Sequence, residues 1–298
     1  MSENRSLLTR LFLTPQERRL RSGWRLIGQS MLLLILLLIL SFPAVIFLPF
    51  DPANRTELML LSTIIGFPAI TISVFLARRI LDRRSFVSLG LFLNVQALKD
   101  LLFGIGLAGL MMGLIFLALW IPGWLTFDGF AWDFESTSTV TITILVWLLI
   151  FILVGWYEEL LARGYWLQNL AEGIDMFWAV LISSMAFAVL HLNNPNATWT
   201  SAIGLLAAGL FLAYGYLRTR LLWLPIGLHV GWNFFQGNIF GFPVSGIETY
   251  ALIQHTVVGD ELVTGGAFGP EAGLILFPAL LVGFGLIKLY TKARKIAP

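Results

Sequence analysis

Cysteine is absent from this 298-residue chain, and charged residues make up only 12% of it. The first absence excludes disulfides, thiolate metal sites and a cysteine nucleophile, and it leaves the redox compartment unread. The second, together with 58% hydrophobic residues and a mean hydropathy of +0.84, excludes an ordinary soluble globular domain. Histidine occurs three times, H-E-x-x-H does not occur, and no period of 20 to 50 residues repeats. The net charge of +2 supplies no basic groove, so no nucleic-acid partner is expected.

What is present is a succession of apolar runs. Crossing a hydrocarbon core of ~30 Å takes ~20 helical residues, and eight spans are read with cores near 28–49, 58–77, 101–121, 139–161, 176–192, 200–217, 222–240 and 271–290. The expected fold is an all-α polytopic transmembrane bundle, one integral membrane domain from 1 to 298. Residues 1–27 read as a basic cytoplasmic or interfacial segment with Trp24 at headgroup depth. The first span is too long and too deep in the chain for a cleaved signal peptide, so the N-terminus is expected to be retained.

Basic residues test the topology independently, because Lys and Arg concentrate in cytoplasmic loops. With eight spans, 18 of the 19 fall on the N-terminal side, and only Arg55 lies opposite. Both termini are therefore expected in the cytoplasm. Together with the lack of a transit peptide, this bias points to a prokaryotic inner membrane.

Ionisable groups inside apolar segments cost at least ~2.5–3.5 kcal/mol each, so those present need a reason. In spans four to seven they are Glu158, Glu159, Arg163, His191 and His229, joined by the polar Asn233. Glu159 and Arg163 stand four apart, acid first, the favourable order for an ion pair on one helix face. Glu158 points about 100° away. Pairing one carboxylate with Arg163 leaves the other unneutralised, and burial pushes such a group toward general-base work. Phe187 with His191, and His229 with Asn233, share helix faces in the same way. If spans four and five turn at Glu172-Gly173-Ile174-Asp175, Glu158 and His191 both lie ~22–26 Å from the turn and can face each other. That requires span four to stay helical past Arg163, for over 30 residues. Counting alone does not bring His229 to the same depth.

The series Glu158-Glu159-x-x-x-Arg163, Phe187-x-x-x-His191 and His229-x-x-x-Asn233, in order on successive apolar segments over about 139–240, resembles the CAAX protease and bacteriocin-processing (CPBP, or Abi) family of intramembrane proteases, which includes the Rce1-type prenyl endopeptidases. The resemblance implies peptide hydrolysis without a covalent intermediate: Glu158 as general base, His191 holding the water, His229 and Asn233 as oxyanion hole, Glu159 and Arg163 in support. It implies a membrane protein or peptide substrate, of CAAX, bacteriocin or leader type, met in the lipid bilayer. No cofactor is then required. Zinc stays open, because Glu158, His191 and His229 form a normal catalytic ligand set. A proton-coupled carrier and a non-catalytic scaffold are the readings from other classes.

Other features read more plainly. Phe187 is expected to pack beneath His191, and Trp156, Trp166, Trp178, Trp223 and Trp232 to pack or anchor. Gly204, Gly209 and Gly215 suit close helix contact, Pro225 is a candidate kink, His255 a surface residue, and 243–270 a connector.

Overall fold

The computed structural model describes residues 11–14, 19–47 and 55–294. Helices occupy each of the eight expected positions: α1 (Ser22–Phe47), α2 (Arg55–Ile80), α3 (Val95–Trp120), α4 (Thr137–Glu159), which runs through a π-helical segment into α5 (Leu167–Gly173), then α6 (Met176–Leu190), α7 (Trp199–Thr219), α8 (Trp223–Asn233) and α9 (Leu276–Tyr290). Five are long and apolar enough to cross a membrane, the α4–α5 unit alone covering 37 residues. The chain is an integral membrane protein with a helical bundle fold. The other three differ from the expected full spans: α6 and α9 have 15 residues each, about 22 Å at 1.5 Å per residue. The third, α8, has 11 before it loosens into π-helix.

Helix ends in a bilayer need their backbone donors satisfied, and short polar side chains do this where the apolar runs begin. Asn94 accepts from Ala97 N, Ser136 from Thr139 N, and Asp175 from Trp178 N. Asp175 thus starts α6 at the polar break that the sequence marks as a turn. Pro225 does not kink its helix: it sits in the first turn of α8, where a missing N–H leaves no helical bond unmade.

Most of the basic segment 1–27 lies outside the described residues. Where it is described, it is tied in: Arg25 reaches Asp82 at 3.2 Å and Glu172 at 2.7 Å, and Arg78 reaches Asp82 at 2.7 Å. Arg25, Arg78 and Asp82 are all buried. This network binds α1, α2 and α5 at one end of the bundle. Beyond it, α1 is buried only at Gln29 among its described side chains, as suits an anchor facing lipid.

At the other end, β1 (Leu125–Phe130) and β2 (Ile253–Val257) pair antiparallel, Leu125 opposite Val257. His255 is therefore a strand residue with its ring 4.7 Å from that of Phe242, in place of the expected surface position. Between the ends, α3 and α8 pack backbone to backbone. A Cβ on Gly227 would collide with the Leu101 carbonyl, and one on Gly231 would come within 2.8 Å of Ile105 Cα. That close approach, a small-xxx-small contact, sets how deep α8 carries its polar residues.

Candidate active site

Glu158 and Glu159 close the last turn of α4, and the chain continues as a π-helix over Leu160–Trp166. Single π segments inside α-helices recur at functional sites because they rotate the side chains that follow them. Helicity does persist past Arg163, as the depth argument requires. Arg163 Nη1 donates to Glu159 Oε1 at 2.7 Å and Nη2 to the Gly209 carbonyl of α7 at 3.0 Å. Its guanidinium lies 4.5 Å over the Phe187 ring. Both charges of the pair are fully buried.

The pairing leaves Glu158 as the carboxylate without a cation. Its Oε2 is buried and has no hydrogen-bond partner among the described residues. It faces His191 Nε2 at 3.6 Å and His229 Nε2 at 3.8 Å. His191 caps the end of α6, and its Nδ1 is 2.8 Å from the Phe187 carbonyl. A carbonyl only accepts, so Nδ1 carries a proton and Nε2 is the nitrogen turned to the cavity. His229 Nδ1 donates to Glu159 Oε1 at 2.9 Å. Glu159 therefore joins Arg163 to His229, a carboxylate orienting an imidazole by its second nitrogen.

Glu158, Phe187, His191 and His229 line one cavity of about 290 Å³, together with Asn233, Tyr157, Trp166, Trp232 and Leu161, and the fully buried Glu159 and Arg163 lie behind its wall. Phe187 does pack on His191, with ring centroids 4.6 Å apart, and it touches the His229 ring as well. Spans four, five and seven thus meet where counting could align only the first two.

Two parts of the site were not visible in the sequence motifs. Val244, Ser245 and Ile247 line the cavity, so the stretch after α8 is a wall of the site and not a plain connector. Glu271, outside every motif, lines it too and is buried. Nor is Trp232 only an anchor: its Nε1 donates to Glu271 Oε1 at 3.1 Å. Gly204 contacts the Glu271 carbonyl in place of a helix.

Two imidazole nitrogens and a carboxylate are the donor types of catalytic zinc. Among the described residues, however, no three His, Asp or Glu side chains stand as a ready cage.

Residues 140–235 match the family described as type II CAAX prenyl endopeptidase Rce1-like. A stretch of 111 residues is 29% identical to the Bacillus subtilis (strain 168) protein named "Putative membrane peptidase YdiL", covering 37% of this chain and 41% of that protein. The chain thus spans about two fifths of the length of the curated relative it matches. Glu158, Glu159, Arg163, His191, His229 and Asn233 all fall inside the matched segment, and Ser245 and Glu271 outside it.

Proposed function

We propose that the chain, whose residues 140–235 match the Rce1-like family, is an endopeptidase that hydrolyses peptide bonds of membrane-associated substrates with water activated by Glu158. The observation that carries this reading is the unpartnered Glu158 Oε2 between two imidazole nitrogens. Groups 3.6–3.8 Å apart are too far for a direct hydrogen bond. They admit one water off their line of centres, ~2.8 Å from each.

Such a water gives one proton to Glu158, donates a hydrogen bond with the other to His191 Nε2, which holds it in place, and attacks the scissile carbonyl as hydroxide. The negative charge that develops on that carbonyl faces His229 and Asn233, one helical turn apart on α8. To donate from Nε2, His229 must hold a proton on both nitrogens, and the Glu159 carboxylate at Nδ1 stabilises that charge. Glu158 then passes its proton to the leaving amine. Arg163 holds Glu159, and neither needs to touch substrate.

Zinc is the second reading, favoured by the same pair of imidazoles; Glu158, His191 and His229 would hold it, and it would supply a water already acidified. The substrate is a protein or peptide reached from the lipid bilayer. The basic bias of the loops supports cytoplasmic termini in a prokaryotic inner membrane.

The test uses protein reconstituted in liposomes with membrane-anchored peptides. Wild type cleaves them, and Glu158→Gln does not while melting at the wild-type temperature. Equal cleavage by both removes Glu158 from the reaction. No cleavage by wild type, with substrate-dependent flux or with full cellular function of Glu158→Gln, moves the reading to a carrier or a scaffold.

A further inference from the structure

Glu271 belongs to no motif, yet it is a buried carboxylate at the wall of the cavity. It lies in a single 3-10 turn, Pro270–Ala272, that leads into α9. The turn is seated against α7, because the Glu271 carbonyl occupies the space that a Cβ on Gly204 would take. From this fixed base the side chain gathers donors from two other elements. Oε1 accepts from Trp232 Nε1 of α8 at 3.1 Å. Oε2 accepts from Ser245 N at 2.6 Å and Ser245 Oγ at 2.8 Å.

Ser245 is the tip of a tight turn in which the backbone N–H and carbonyl groups of Val244 and Ile247 pair at 2.9 Å each way. It holds a positive φ of 48°, a conformation that costs a non-glycine residue free energy and persists only when surroundings impose it. Those surroundings are named contacts. Asn194, three residues past His191, donates to the Ser245 carbonyl at 3.0 Å, and Gln236 donates to the Pro243 carbonyl at 2.6 Å. Gly246 N donates to the Phe268 carbonyl at 2.8 Å. The turn is thus pinned to the segment after His191 and to the helix of His229 and Asn233.

We propose that Glu271 is a positioning residue of the catalytic cavity: it clamps the Val244–Ile247 turn to Trp232, and so fixes one wall of the cavity against His229 and Asn233. The inference rests on the protease reading for its consequence, not for its geometry. All its donors are N–H or O–H groups, so the side chain must accept on both oxygens. An amide there accepts on one oxygen only and turns its own donor toward Trp232 or Ser245.

The test is Glu271→Gln, made in the protein as it stands and in an Ile247→Cys background, where the introduced thiol is unique because the chain has no cysteine. Two quantities are read in liposomes: kcat and KM for an anchored peptide, and the rate at which a maleimide labels position 247. The expected result is a fall in kcat of tenfold or more, a smaller change in KM, and labelling at least threefold faster. Labelling and kcat both within twofold of wild type overturn the inference. Faster labelling with unchanged kcat also overturns it, since the clamp is then structural only. A fall in kcat with unchanged labelling overturns it as well, and puts Glu271 in contact with substrate. Should Glu271→Gln not fold, Ser245→Gly removes the hydroxyl bond while suiting the positive φ, and the same two readouts apply. Glu158→Gln is run alongside: a wild type as inactive as Glu158→Gln refutes the protease reading, whereas an active wild type with an unaffected Glu271→Gln refutes only the clamp.

Discussion

Replacing Glu159 by Gln separates the two adjacent carboxylates more sharply than any other single change. Glu159 is fully buried and is the acceptor for both Arg163 and His229, at 2.7 and 2.9 Å. The amide keeps the shape and one acceptor oxygen but removes the charge, leaving the buried Arg163 cation without its counter-ion. Breaking a buried ion pair from one side costs about 3–5 kcal/mol. The surviving oxygen and the unchanged Gly209 contact put the expected loss near the lower end, ~3 kcal/mol. His229 loses its orienting carboxylate, and losses of this indirect kind run about 10–100-fold, or ~1.4–2.7 kcal/mol in the barrier.

Glu158→Gln is expected to do the reverse. Glu158 is 21% exposed and its nearest basic nitrogen among the described residues, His191 Nε2, lies 3.6 Å away, so stability should change by less than ~1 kcal/mol. Loss of the general base should lower cleavage by about 10²–10⁴-fold. Thermal melting in detergent micelles and initial rates on a fluorogenic peptide give both numbers for both variants. A Glu159→Gln protein that melts like wild type, or a Glu158→Gln protein that melts the earlier of the two, would refute this division of labour.

Three further outcomes are expected. Gly227→Ala forces a methyl into the Leu101 carbonyl, so it should lower stability by about 1–3 kcal/mol, as overpacking does; a melt unchanged from wild type would show that α3 and α8 can part freely. His255 is held below its usual pKa, chiefly by burial. Its neutral ring therefore contributes stability above the unfolded value of ~6.5 that is lost as pH falls through the lowered folded value. His255→Phe, beside Phe116 and Phe242, should flatten the drop in melting temperature between pH 8 and pH 5, and an identical drop in both proteins would count against this. Chelation should leave cleavage intact; inactivation by a chelator and rescue by zinc would replace water activation by Glu158 with zinc chemistry.

The polar site was largely legible because its pairs are local. Glu159 with Arg163, Phe187 with His191 and His229 with Asn233 each sit one helical turn apart, a spacing visible in any apolar run. Equal distances from the 172–175 turn also anticipated the meeting of Glu158 with His191. The meeting with His229 was not legible, because the depth of α8 is set by Gly227 and Gly231 against α3, a contact between segments over a hundred residues apart. That signal existed, in the Gly227-x-x-x-Gly231 spacing. The role of Glu159 as partner of His229, 70 positions away, had no local trace. Neither did Glu271, whose donors lie 26 and 39 residues off in a stretch without periodicity. Pro225 misled because its distance from the start of α8, and not its presence, decides whether it kinks the helix. Eight apolar runs were visible as runs; that α6, α8 and α9 are short reflects caps and π-turns that hydropathy does not encode.

The most direct test of the central claim compares new peptide termini in membranes holding wild type and Glu158→Gln at equal expression, read by mass spectrometry of labelled N- and C-termini. If Glu158 activates water for peptide hydrolysis, a set of termini appears with wild type alone, and their sequences name the substrates. Identical termini in the two membranes, with both proteins folded, would contradict the claim.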